Sequence, residues 1–488
     1  VAANVQQRGF KPGSALAIIM PMTVESVAIY LGIIKAGCHA VSIADSFRPK
    51  EIATRLRLSG AVAVFTQDVI RRGGKELDLY SKVIEAGPPP VVCVRANGRE
   101  SGALREQDFA WHDFLETEGV FPAVVCEPSD PINILFSSGT TGEPKVIPWT
   151  HVTPIKCAAD GHFHQDIHPG DVVVWPTNLG WMMGPWLIFA SLINRATIGL
   201  FYGAPTGKEF GSFVEEAKTT MLGVVPSLVR TWRQTGCMNG VDWSNIRLFS
   251  STGECSHPED MEWLMSLGGG RPVIEYCGGT EIGGGYLTGT VTRPCRPGTF
   301  NTAALGLDVI ILDEKGSPAT NGELFIIPPS LGLSTTLLND EHHEVYFADT
   351  PLGPKGETLR RHGDEMEMLP GGYWRCHGRV DDTMNLGGIK ISSAEIERVL
   401  KCLPQVLETA AIAVSPGGGP SQLVIYAVCS NQEKLPKDAL LDAMQQAIRR
   451  DLNPLFKIHD LVLVAGLPRT ASNKVMRRVL RQQYGRTA

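Results

Sequence analysis

Apolar and polar positions along the first hundred residues follow two alternating periods. Residues 15–20 are an unbroken apolar run, residues 24–36 place Val27, Tyr30, Leu31 and Ile34 on one helical face, and residues 38–42 are apolar again. A second helical stretch at 50–59 leads into the strand-like run 62–66. That rhythm predicts parallel strands joined by helical crossovers, hence a sheet covered on both faces. Gly87-Pro88-Pro89-Pro90 breaks the region, and residues 91–94, 132–137, 197–201, 221–225 and 273–276 supply further short apolar runs with no internal repeat.

The pattern changes after about residue 380. Ser392 with Glu395 three positions on predicts a capping box, followed by an apolar stripe of Ile396, Val399, Leu400 and Leu403. Residues 406–414 and 423–428 around Gly417-Gly418-Gly419-Pro420 read as a hairpin, 438–452 as a helix and 460–464 as a strand. The expected architecture is α/β: a large multi-sheet N-terminal domain over 1–380, then a small α+β C-terminal domain over 381–488.

Composition narrows the function classes. The chain has 488 residues, 43% hydrophobic and 20% charged, so it is long enough for more than one domain of the usual ~150 residues. Its formal charge of -6 gives no global positive field for nucleic acid or an anionic membrane. Eleven cysteines without a C-x-x-C pair suggest reduced thiols in an intracellular compartment. The charge-free run 172–193 is interrupted by Pro176, Gly180, Gly184 and Pro185, so it reads as strand, loop and helix and not as a transmembrane span. His162, His164 and His168 lack a surrounding ligand framework, and no structural metal is expected.

Candidate chemistry begins where the run 132–136 gives way to Ser137-Ser138-Gly139-Thr140-Thr141-Gly142-Glu143-Pro144-Lys145. Small residues let backbone N–H groups approach an anion, hydroxyls add donors and Lys145 adds charge: together, a phosphate-gripping loop. A Ser/Gly surface turn is the alternative for any shorter run. Pro144 before the lysine and Val146 after it exclude a Walker A loop.

With this loop the sequence resembles the adenylate-forming superfamily, the acyl-CoA synthetases and their relatives. Ser251-Thr252-Gly253-Glu254, Tyr276-Cys277-Gly278-Gly279-Thr280-Glu281, His362-Gly363-Asp364, Gly378-Arg379-Val380-Asp381-Asp382 and Pro468-Arg469-Thr470-Ala471-Ser472-Asn473-Lys474 follow in the family's order, over essentially the whole chain. The resemblance implies ATP/AMP binding by Ser137, Ser138, Gly139, Thr141, Gly142, Lys145, Gly253, Glu254, Thr280, Asp364 and Arg379. It implies catalytic roles for Lys474, Thr140 and Glu281, with Glu281 a hard oxygen ligand for the Mg2+ that bridges ATP phosphates. Arg469 and Asn473 depart from the family's lysine and glycine in the last motif, which bears on the backbone around Lys474.

The opening, through Met20-Pro21-Met22, Lys35-Ala36-Gly37 and Arg72-Gly73-Gly74-Lys75, looks most like the acetyl-CoA synthetase branch, and the wording around 362–397 is similar to plant peroxisomal acyl-activating enzymes. The branch implies coenzyme A contacts at Arg72, Lys75, Gly388, Lys390 and Arg449; for Arg72, Lys75 and Arg449 a solvent-exposed turn accounts for the same residues. Trp181, Met182, Met183 and Gly278 are the expected acyl pocket, with Gly278 where acetate enzymes carry a bulky residue, and so a longer acid. Core packing is the alternative for the two methionines. Asp381 is the expected hinge, and family chains extend ahead of the position of Val1, so part of the large domain is expected to be missing.

The resulting expectation is an ATP-dependent carboxylate:CoA ligase acting on a medium-size or aryl-alkyl acid, with ATP, Mg2+ and coenzyme A as cofactors and co-substrates. Delivery to a carrier protein, and an inert nucleotide-binding relative, are the alternatives.

Overall fold

The computed structural model describes residues 1–72, 74–96, 103–116, 119–137, 143–313, 315–379, 383–416, 420–429, 436–469 and 475–487, with backbone only at Arg72, Gly378, Arg379, Thr383, Lys390, Ala394, Arg478, Arg486 and Thr487. A seven-stranded sheet opens the chain, in the order Phe109–Ala110, Val91–Val94, Ala63–Gln67, Ala15–Ile19, His39–Ser42, Pro131–Ser137, Lys145–Thr150. All neighbours are parallel except the last pair, which runs antiparallel with Ser137 opposite Lys145. Strand Ala15–Ile19 shows why its sequence is apolar without alternation. Leu16 and Ile18 enter one core cluster, Ala15, Ala17 and Ile19 another, because helices cover both faces.

Helix Val24–Lys35 starts with Thr23, whose hydroxyl accepts from the Ser26 N–H at 3.2 Å. Its buried face is Ser26, Ile29, Tyr30 and Ile33, while Val27, Leu31 and Ile34 are only half-buried. The expected face is therefore rotated by about one position, because a polar Ser26 joins the core by making a second hydrogen bond, to the Thr23 carbonyl at 2.9 Å. Arg71 pairs with Glu76 and Arg72 with Lys75 at the end of a hairpin of Val69–Arg72 and Lys75–Asp78.

A second sheet is wholly parallel, in the order Thr197–Gly199, Val172–Val174, Met221–Val224, Leu248–Ser251, Val273–Glu275. The charge-free stretch resolves into strand Val172–Val174 and helix Met183–Ile193, and among the described residues no helix is long and apolar enough to cross a membrane. Antiparallel strands follow: Cys277–Gly279 with Gly284–Thr288, and a four-stranded sheet that includes Arg360–Leu369 and Tyr373–Arg379.

Beyond residue 383 the chain forms the hairpin Thr383–Leu386 and Ile389–Ser392, then helix Ser393–Leu400. The capping box is present: Ser392 Oγ accepts from the Glu395 N–H at 3.1 Å and Glu395 Oε1 accepts from the Ser392 N–H at 3.3 Å. Strands Val406–Val414 and Gln422–Cys429 pair antiparallel, and Ile458–Leu463 joins in parallel after helix Lys437–Asp451. These elements share an aliphatic core from Met384 to Leu461, against which the large domain's Trp181 also packs.

Candidate active site

A cavity of ≈ 1020 Å³ opens where both parallel sheets end. Ser137, Val174, Val225, Ser251 and Glu275 line it, each at or just past the carboxyl end of its strand. In open α/β sheets this is where ligands collect, because the loops there are free to diverge while the strands hold them in place. The small domain closes the far side with Met384, Gly387, Gly388 and Glu395.

The strand-end turns carry the polar groups. Glu254 Oε2 accepts from the Ser227 N–H at 2.9 Å, and burial pushes its carboxyl up while that bond and one from the Gly388 backbone pull it down. Gly253 and Gly388 both have positive φ, +96° and +82°, and a Cβ on Gly253 would stand 3.9 Å from the Gly388 Cα. The small domain's glycine loop thus lies directly over the segment expected to line the adenine pocket. Asp364 also lines the cavity, from strand Arg360–Leu369. Its Oδ2 accepts from the Tyr286 hydroxyl, and His362 Nε2 lies 3.5 Å away. The backbone of Arg379 is in register beside it, whereas the Arg379 side chain lies outside the described residues.

Glu281 joins Ser137 and Lys145, the two residues that flank the loop expected to grip phosphate. Its Oε1 accepts from Ser137 Oγ at 2.7 Å and from Lys145 Nζ at 3.1 Å. The Thr280 carbonyl accepts from Trp149 Nε1 at 2.8 Å, which fixes the start of this turn. Ser138, Gly139, Thr140, Thr141, Gly142, Asp381 and Lys474 lie outside the described residues. Sequence reasoning missed Arg360, which is buried, has no hydrogen-bond partner for its Nε and Nη1 among the described residues, donates to Ser334 Oγ at 2.8 Å and lies 4.0 Å over the Tyr346 ring centre. Burial depresses its guanidinium while Tyr346 and Glu281 oppose that. The doubled arginine at 360/361 is the only signal of it in the sequence.

The other end is apolar. Met22, Phe47, Trp175, Trp181, Met182 and Met183 line it. Asn178 shapes this wall by donating to the Met20 carbonyl at 2.9 Å and accepting from the Gly180 N–H at 2.8 Å. Trp181 meets Phe47 in a tilted pair, ring centres 5.5 Å apart, and touches the cores of both the large and the small domain. Beside it Arg55 lies 3.8 Å over the Phe47 ring, between Glu51 and the small domain's Glu395. Burial, only partly opposed by Arg55, pushes Glu51 up to about 7 and also raises Glu395.

Gly278 lines the cavity, but its Cβ direction needs correcting. A Cβ there would meet Gly284 O at 2.0 Å, so the missing side chain would run into the neighbouring strand and not into the void. Lys75 and Arg449 are exposed and do not line the cavity, and the side chains of Arg72 and Lys390 lie outside the described residues. Arg469, flanking the last motif, instead pairs with Glu408 at 2.9 Å.

Comparison with known proteins agrees with this geometry. The family described as AMP-binding enzyme matches residues 1–333, and the AMP-binding enzyme C-terminal domain matches 395–474. The chain is 52% identical over 494 residues to a probable peroxisomal acyl-activating enzyme 17 of Arabidopsis thaliana, covering 98% of this chain and 68% of that one. It is 52% identical over 501 residues to a hexanoyl-CoA synthase of Cannabis sativa, covering 99% and 69%. Among solved structures, acetoacetyl-CoA synthetase from Streptomyces lividans superposes with TM-score 0.72 at 26% identity, over 98% of this chain and 75% of that one. Its large domain, its small domain and the cavity between them are those of the adenylate-forming fold; the chain belongs to the AMP-binding enzymes and is an AMP-forming acyl-CoA ligase.

Proposed function

We propose that this ligase activates a medium-chain carboxylic acid, of about the length of hexanoate, and passes it to free coenzyme A. The observation that carries the reading is that one cavity has turns of nucleotide-binding type at one end and Trp181, Met182 and Met183 at the other. Two thioethers suit a flexible aliphatic tail, and the relative named hexanoyl-CoA synthase supports that length.

In the first half-reaction a carboxylate oxygen attacks the α-phosphorus of ATP and pyrophosphate leaves. Ser137, Gly253, Glu254, Thr280 and Asp364 would hold the nucleotide, with Lys145 near the phosphates and Lys474 offsetting charge at the reacting oxygens. Glu281 fits Mg2+ as a single carboxylate ligand, since this ion is usually held by one or two carboxylates together with ATP phosphates, whose charge it would neutralise. In the second half-reaction the coenzyme A thiolate displaces AMP. The arrangement described, with Gly388 on the cavity, suits this step. Rotation of residues 381–488 about Asp381 would bring Lys474 in for the first. A peroxisomal setting is consistent with the name of the Arabidopsis relative.

Acid-dependent pyrophosphate release across acids of two to twelve carbons tests this reading, with thioester formation followed in parallel. A maximum near six carbons, with free coenzyme A as acceptor, is expected. A maximum at acetate, or transfer only to a carrier protein, would reject it.

A further inference from the structure

Three cysteines from separate parts of the chain meet at the polar end of the cavity: Cys255 after strand Leu248–Ser251, Cys277 on Cys277–Gly279 and Cys376 on Tyr373–Arg379. Cys255 Sγ lies 3.7 Å from Cys376 Sγ, and Cys376 also meets Cys277. Cys255 is exposed and the other two are half-buried. Nothing in the adenylation chemistry uses a protein thiol. We propose that Cys255 and Cys376 are a redox-sensitive pair whose disulfide, formed by a peroxide, closes the nucleotide end of the cavity.

The geometry supports this pair over Cys277. Cys277 Sγ is already engaged by the Tyr286 hydroxyl at 3.0 Å, on a strand pinned across Gly284–Thr288. Cys255 lies outside helix and strand, on a segment less constrained than a paired strand, and the 3.7 Å between the sulfurs must close to the ~2.05 Å of a disulfide. Position gives the bond its consequence. Cys255 directly follows Gly253 and Glu254, and Cys376 is opposite Met366 on the strand that carries Asp364. A covalent link would fasten the turn expected to bind adenine to the sheet expected to bind ribose, across the space a nucleotide would need. This consequence rests on the reading of that end as the nucleotide site.

The chemistry balances. The accessible Cys255 sulfur, as thiolate, attacks one oxygen of hydrogen peroxide; the O–O bond breaks, the leaving hydroxide is protonated to water, and a sulfenic acid remains. The Cys376 sulfur then attacks the sulfenic sulfur, its proton departing with the hydroxyl as a second water while the S–S bond forms. Two thiols are oxidised and one peroxide is reduced. The neighbouring Cys255 and burial hold the Cys376 thiol well above its ordinary range, so Cys376 serves as the resolving thiol and not as the one the peroxide meets first. A dithiol reductant reverses the bond.

The test treats the full chain with hydrogen peroxide, then follows non-reducing peptide mapping, ATP binding and acid-dependent pyrophosphate release. We expect a 255–376 cross-link lighter by two hydrogens, at least a tenfold loss of ATP affinity and of release, recovery with dithiothreitol, and slower cross-linking when ATP is present. Cys255→Ser should keep the same activity before and after peroxide, each variant being compared only with itself, and Cys277→Ser should remain sensitive. A 277–376 cross-link, sulfinic acid at Cys255 with no cross-link, or a 255–376 cross-link with undiminished ATP binding would each overturn the proposal. If pyrophosphate release is absent even from the reduced protein, the ligase reading has failed, while mapping and ATP binding still decide the pair.

Discussion

At its polar end the cavity is walled by turns that follow a strand within a few residues, at Ser137, 251–256 and 275–280, whereas its apolar end collects Met22, Phe47, Trp175 and 181–183 from segments far apart. The first end, proposed to hold the nucleotide, has its polar groups on contiguous stretches whose spacing is set by a strand and a turn. The second must vary with the acid and is built from core side chains that happen to reach the void. Polar turns can be exchanged one at a time; the apolar wall cannot, because Trp181 belongs at once to two hydrophobic cores. Changes at the first end should therefore alter rate with little effect on folding, and changes at the second should alter specificity and stability together.

The largest effect expected is at Lys474. Lys474→Ala should lower adenylate formation by about 10²–10³-fold, the usual scale for one donor aimed at transition-state charge. Thioester formation from supplied acyl-adenylate should continue, because the proposed role gives this lysine no part in the second step. Single-turnover rates of both half-reactions settle it: equal loss in both would place Lys474 with the structural residues.

Next come two tryptophans that separate space from backbone. Gly278→Trp places a Cβ 2.0 Å from Gly284 O, so the strand must move, at a cost of ~3 kcal/mol or more. Thermal melting should shift down and all acids should lose activity alike. Met182→Trp instead adds bulk to a half-buried position on the cavity wall. Six- to eight-carbon acids should then fall in kcat/KM about tenfold relative to acetate, within the ~1–3 kcal/mol that a hydrophobic pocket discriminates per methylene. A chain-length profile that shifts for Gly278→Trp and not for Met182→Trp would reverse this assignment.

That contrast also marks what was legible in the sequence. The parallel α/β scaffold could be read because its strands are buried on both faces, and the Ser392–Glu395 cap because its partners are three residues apart. The motifs that reach the polar end could be picked out because each is a local run, at Ser137, 251–256 and 275–280, and all three line the one cavity. The bond from Ser137 to Glu281 spans 144 residues and Tyr286 to Asp364 spans 78, so neither leaves a local pattern. Gly278 was misdirected because a sequence gives a residue's position on a strand but not where a bulge turns its Cβ. Helix Val24–Lys35 was off by one position because hydropathy cannot register a serine that satisfies itself at its own N-terminus.

The smallest effect is at Glu275, on the polar wall, and is one of stability. This carboxyl is buried on the cavity wall, accepts from Ser256 Oγ at 2.6 Å, and is pushed by burial up to about 8 from an ordinary 4.5. Its titratable neighbour is the Cys295 thiol, itself raised to about 11 by burial and by Glu275. Between pH 4.5 and 8 the folded protein keeps a proton that the unfolded chain has released, so the native state binds more protons and stability falls as pH rises. No penalty exists below 4.5, and it is complete above 8, when the folded carboxyl ionises as well. Glu275→Gln keeps the oxygen that accepts from Ser256 and imitates the protonated acid at every pH. Melting temperature should therefore match the parent at pH 5 and exceed it by a few degrees at pH 8, each kcal/mol being worth roughly 2–4 °C even in a domain of 150–250 residues. A variant that gains equally at both pH values would show that packing, and not the proton, limits this position.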